Sequence, residues 1–194
     1  PWGLLSSEGQ YAIATNPAST HINFASFGDH TTGTGNMMVV NGASLANVNI
    51  WCQTITVTPN TFYDFSAWGA TCVASNPAIL QFSIHGELLG SPFVLMNNTC
   101  PWQNFFECWY SGTATSADIC IVNQNTALAG NDFALDDITF YVTDTLMYTD
   151  SIYVEGKTCN SCNLTASITG NNILCNNSKD TLKISGVYDS IRWN

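Results

Sequence analysis

Residues 131–141 read Asn131-Asp132-Phe133-Ala134-Leu135-Asp136-Asp137-Ile138-Thr139-Phe140-Tyr141. The stretch alternates as a strand does, and an unbroken period of two puts Ala134, Asp136, Ile138 and Phe140 on one side of it. Ile138 and Phe140 call for a core, so Asp136 is expected where a carboxylate is costly unless a cation or several donors meet it. The chain has only four Lys plus Arg in 194 residues. A metal ion is therefore the expected partner, against the plainer reading of an Asp pair at a solvated strand end. Asp137, being adjacent, is expected to face the other way.

Short alternating segments precede this strand, at 11–15, 37–40, 50–57, 62–68, 78–84, 105–110 and 118–123. They are separated by turn residues at spacings of about 8–12, with no helical period, which predicts an all-β jelly-roll sandwich. Segments 50–57 and 62–68 read as a hairpin around Thr58-Pro59-Asn60. Segments 105–110 and 118–123 read as a second one around Ser111-Gly112. These registers put Cys52 near Cys72 and Cys108 near Cys120. Eight cysteines nevertheless allow many connectivities, and the bland alternative is that several are small buried hydrophobes.

Composition narrows the class. Hydrophobic residues make up 45% and charged residues 9%, against the usual quarter or so of charge; Asn and Thr supply the polarity. A net charge of −10 leaves no basic patch for nucleic acid or for an anionic membrane surface. Eight cysteines in such a chain point to an oxidising, extracellular setting, secreted or on a cell surface. There is no leader pattern at the start and no long apolar run, so direct membrane insertion is not expected.

Catalysis is not expected. His21, His30 and His85 are too scattered for zinc, no phosphate-binding glycine loop precedes a helix, and two adjacent carboxylates suit glycoside hydrolysis poorly. Aromatic and amide groups instead suggest binding. Trp68 alternates away from Phe65, beside Asp64 and Ser66, while Gln81, Ser83 and His85 form the outward set of their own segment. A ring face with amides and hydroxyls suits a sugar. The alternative is that Trp68 packs under a loop.

The composition shifts after Tyr141. We read 1–143 as the jelly roll, 144–158 as a linker or trailing strand, and 159–194 as the opening part of an immunoglobulin-like sandwich. In the last, Cys175 is followed by Trp193 before any partner cysteine. Cys159-x-x-Cys162 reads as disulfide-forming in preference to zinc or redox. The abrupt ends at Pro1-Trp2 and Arg192-Trp193-Asn194 read as those of a fragment. Asp-(Ser/Thr)-aliphatic tripeptides mark Thr145, Ser151, Thr181 and Ser190 as O-glycosylation candidates.

The runs GDHTTGTGNMMVV (28–40) and DFALDDITF (132–140) together resemble MAM-type adhesion domains and calcium-bearing jelly-roll carbohydrate-binding modules. The fuller order of segments from 28 to 141 looks like a module of large surface and gliding-motility-associated proteins of Bacteroidetes. In those families two aspartates hold a metal that pins the loop to the closing strand. The resemblance thus implies calcium on Asp29 and Asp136, with Asp137, Thr31 and Asn36 supplementary; an early Phe-Glu motif that often adds a ligand is missing here. An oxygen-rich glycine loop suits calcium on its own chemistry too. The expected function is adhesion, first of all glycan recognition, with a glycan or an extracellular protein as partner and self-association as a further option. The other readings are a structural stalk and a non-catalytic appendage of a secreted hydrolase.

Overall fold

The computed structural model describes residues 3–143, together with the strand backbones at 166–169 and 183–186. The chain divides into two compact units, Pro1–Val142 and Thr143–Asn194. In the second, β10 (Ala166–Thr169) and β11 (Lys183–Gly186) pair antiparallel. The immunoglobulin-like reading and all four O-glycosylation candidates otherwise lie outside the described residues.

The first unit is an all-β jelly-roll sandwich. One sheet holds β1 (Gln10–Ala14), β2 (Met37–Asn41), β9 (Phe133–Val142), β4 (Phe62–Thr71) and β7 (Gln103–Tyr110), in the order β1-β2-β9-β4-β7. The other holds β3 (Val48–Thr56), β8 (Ser116–Asn123), β5 (Ile79–Ile84) and β6 (Glu87–Val94), in the order β3-β8-β5-β6. Inward residues of both sheets interdigitate, as sandwich packing requires. Phe65 of β4 stacks on Phe82 of β5 with centroids 3.9 Å apart, and Leu80, Ile121, Phe133 and Leu135 close around them. A second cluster of Leu5, Phe24, Met37, Val39, Cys72 and Ala134 lies on the other face of the first sheet, where the N-terminal segment covers it.

Neither expected long hairpin forms. β3 pairs with β8, and β4 pairs with β7 and β9, so both connections cross from one sheet to the other. Period-two alternation tells which face a side chain takes, but not which strand lies beside it. The two crossing loops hold each other instead: Asn60 N–H donates to Gly112 O and Ser111 N–H to Thr61 O. The Ser111 hydroxyl accepts from Thr61 N–H and donates to Thr58 O.

The cysteine expectation changes with the registers. Cys52 faces Cys120 across β3 and β8, with Cα atoms 4.1 Å apart, and the two form a disulfide. Cys108 is disulfide-bonded, but not to Cys120. Cys72 is a buried thiol. A two-residue hairpin does join β5 to β6: His85 and Gly86 both have positive φ (55° and 83°), as the tight turn matching strand twist demands.

Candidate functional site

The stretch 131–141 does not keep one period throughout. Between Ser66↔Thr139 and Trp68↔Asp136 the register slips by one residue, and Asp137 takes φ 45°. That is a β-bulge with its extra residue in the left-handed region. Before it, Phe133 and Leu135 face the main core and Ala134 faces the second cluster; after it, Ile138 and Phe140 pack on the main core. The bulge swaps the parity. Asp136 therefore lies on the face of Ala134, away from the Phe65 core, and Asp137 turns toward the same loop instead of the opposite side.

That loop is 28–36, and the chain's own donors close it onto the strand. Asp136 Oδ2 accepts from His30 N–H at 2.8 Å, and Oδ1 from Asp137 N–H at 2.9 Å. Asp137 accepts from Thr31 Oγ1 and pairs with His30 Nδ1, both at 2.7 Å. Asp29 folds back within the loop, accepting from Thr32 N–H at 3.0 Å, Gly35 N–H at 2.6 Å and Thr32 Oγ1 at 2.9 Å. A side chain at Gly35 would sit 2.9 Å from Asp29 Oδ2, which is why the loop needs glycine there. The His30 bond, then the Thr31 bond, hold the Asp137 carboxyl below its usual range. Burial pushes the Asp29 carboxyl up, but the Thr32 and Gly35 N–H groups outweigh it and leave it lowered.

The sequence expectation thus gathers Asp29, Thr31, Asp136 and Asp137 in one clasp. Among the described residues no side-chain bond brings Asn36 to it. Calcium wants six to eight oxygens. Here each carboxylate oxygen of the three aspartates already faces an N–H or O–H donor. Among the described residues no three His, Cys, Asp or Glu side chains are grouped to hold a metal. These residues fit a hydrogen-bonded clasp; calcium would have to compete for its acceptors.

The expected sugar-binding set is not one site. Trp68 points outward from the first sheet, under the loop: the His30 ring stacks on it at 3.7 Å and 17°. Trp102, which the sequence reading passed over, flanks the same histidine edge-on at 5.9 Å and donates Nε1–H to Gly28 O at 3.2 Å. Gln81 and Ser83 lie on the outer face of the second sheet, because Leu80, Phe82 and Ile84 take its inner face. The sandwich separates them from Trp68. His85 stays in its turn, with its ring toward Asp118 and Trp109.

A hollow of about 410 Å³ opens on that second outer face. Asn47, Asn49, Ser83, Glu87, Leu88 and Val122 are among the residues lining it. Strand registers order them: Asn49 is opposite Val122, Val122 opposite Gln81, and Ser83 opposite Leu88. The hollow thus runs crosswise over β3, β8, β5 and β6, about 14 Å from first strand to last at ordinary strand spacing. Ser83 is 2% exposed and no hydrogen bond engages its hydroxyl among the described residues. Gln81 is committed, donating to Gly90 O and accepting from Gln124. The alternation that put Gln81 and Ser83 outward was right, but Asn49 and Leu88 come alongside only through pairings that no local pattern encodes.

No protein-family model and no curated protein sequence matches the chain. Solved structures do resemble it in shape. The CBM22-1 xylan-binding domain of Paenibacillus barcinonensis Xyn10C matches with a TM-score of 0.46 at 12% identity, over 71% of this chain and 84% of that one. The sugar-binding EclA C-terminal domain matches with 0.45 at 20% identity, over 49% and 68%. An arabinose-bound α-L-arabinofuranosidase matches with 0.49 at 13% identity, over 69% of this chain and 22% of that one.

Proposed function

We propose that the first unit is an extracellular binding module that holds a neutral glycan in the hollow across β3, β8, β5 and β6. The observation that carries this is the lining: amides from Asn47 and Asn49, the unengaged Ser83 hydroxyl and the Glu87 carboxylate stand around apolar Leu88 and Val122. Sugars present hydroxyls in a ring plane and C–H groups above it, and such a mixed floor answers both. The volume is within the range of small-ligand sites. Glu87 within a chain of net charge −10 favours a neutral over an anionic glycan. The Cys52–Cys120 disulfide and the bonded Cys108 support an oxidising, extracellular setting. Among the described residues no helix is long and apolar enough to cross a membrane. A role in cell-surface adhesion belongs to the same reading.

A neutral-glycan array probed with the whole chain tests it. Asn49 and Glu87 are exposed, so Asn49→Ala with Glu87→Ala should leave the fold intact and weaken retention at least tenfold. Retention of no glycan, or equal retention by the double variant, would sink the proposal.

A further inference from the structure

Two of the cysteines in the described region are thiols, and they are neighbours. Thr71, the last residue of β4, forms a parallel bridge with Thr99 in the loop between β6 and β7. The next residue on each side is a cysteine, Cys72 and Cys100. Cys100 N–H donates to Thr71 O at 3.4 Å. Residues following a parallel bridge stand side by side at about the strand spacing of 4.8 Å, and a disulfide needs Cα atoms roughly 4.4–6.8 Å apart. The thiols sense each other electrostatically: burial pushes the Cys72 thiol up, and Asp132 and Cys100 push it further. Cys100 is held at φ 82°, a conformation a non-glycine residue keeps only when its surroundings fix it.

We propose that Cys72 and Cys100 are a dithiol pair that a small disulfide such as oxidised glutathione converts to an intramolecular disulfide. The remainder of the described cysteines already carry disulfides, so the setting that made those would act on this pair. Exposure sets the order. Cys100 is exposed while Cys72 is 0% exposed. The Cys100 thiolate attacks the reagent disulfide, forms a mixed disulfide and releases one thiol. Cys72 then gives up its proton and attacks Cys100 Sγ, releasing the second thiol; one disulfide is consumed and one formed. The bond ties the end of β4 to the loop that carries Trp102, and Trp102 holds Gly28 of the clasp. Closing the pair would therefore brace the clasp through Trp102.

The folded chain, incubated with oxidised glutathione and digested without reductant, tests this by mass spectrometry. The expected result is a peptide pair joined through Cys72 and Cys100 that separates on reduction. In Cys72→Ser the Cys100 glutathione adduct should instead persist; because that variant removes a buried group, the wild-type digest decides if it does not fold. A wild-type chain that keeps glutathione on Cys100, leaves both thiols free, or links either to another cysteine would overturn the pairing.

Discussion

The His30 ring lies flat on Trp68, 3.7 Å between centroids, while its Nδ1 holds Asp137 at 2.7 Å. One side chain thus joins the loop to β4 by stacking and to β9 by a hydrogen bond. Ring pairs and bonds to charged groups contribute together about 2 kcal/mol in a half-covered setting. His30→Ala should destabilise the first unit by that order in urea and shift tryptophan fluorescence to the red as Trp68 meets water. Glycan retention should stay, since Trp68 and the hollow are on opposite sides of the sandwich. Unchanged fluorescence and midpoint would show the stack to be incidental.

Trp68→Ala takes away the ring that His30 rests on, so it should cost stability and change the near-ultraviolet circular dichroism. A glycan-binding role for Trp68 predicts the reverse: lost retention with an unmoved denaturation midpoint. The two outcomes separate cleanly on one variant.

The clasp is closed by donors of the chain itself, and this bears on the expected calcium. We predict that the thermal midpoint in excess EDTA and in millimolar calcium agree within about a degree, because an ion that stabilises by mass action must first bind the folded state. A calcium-dependent rise that Asp136→Ala abolishes would establish the ion and displace the hydrogen-bonded account.

Two aspartates of β9 and its approach should give stability a maximum on the acid side. Asp132 is buried, which raises its carboxyl to about 7; the Gly42 N–H partly offsets this and Glu8 adds to it. A raised acid favours folding fully below its unfolded value of about 4, and that contribution disappears as pH climbs through about 7. Asp137, lowered by His30 and Thr31, acts in the other direction: its contribution is present above about 4 and lost in stronger acid. Stability should therefore peak near pH 4 and fall as pH rises from there to about 7. Asp132→Asn, whose Oδ1 can still accept from Gly42, should flatten the fall between about 4 and 7. An unaltered slope would rule Asp132 out as its source.

Much of the fold was legible because burial acts residue by residue: Leu80, Phe82, Ile84 and Phe65 take the inner face that alternation assigns them. What escaped are events without a local signature. The bulge at Asp137 adds a single residue and reverses every side after it, so Asp136 was assigned to the wrong face. The loops at 57–61 and 111–115 look like hairpin turns, yet they bridge two sheets because their best partners are each other. From the misread hairpins came the misread cysteines. The clasp was legible as a meeting of two segments, but its chemistry was not. Backbone N–H groups of His30, Thr32 and Gly35 are donors that no count of Lys and Arg includes.

The last prediction concerns Cys52 and Cys120. Among the described residues β3 is an edge strand, held on one side by β8, and the disulfide joins the two strands at directly opposed residues. Its cysteines are 68 residues apart in sequence, and closing a loop of that length in the unfolded chain is worth roughly 4 kcal/mol. Cys52→Ala with Cys120→Ala should lower stability by that order. The loss should appear first as faster amide exchange along β3, at the edge of its sheet. Asn49 rides on β3 and Ser83 sits opposite Cys120, so the hollow should loosen as well. Glycan retention should then fall even though neither cysteine is among its lining residues. An exchange map in which β3 stays protected and the denaturation midpoint is unmoved would mean that packing of Ile50, Trp51 and Ile55 on the core holds the edge without the bond.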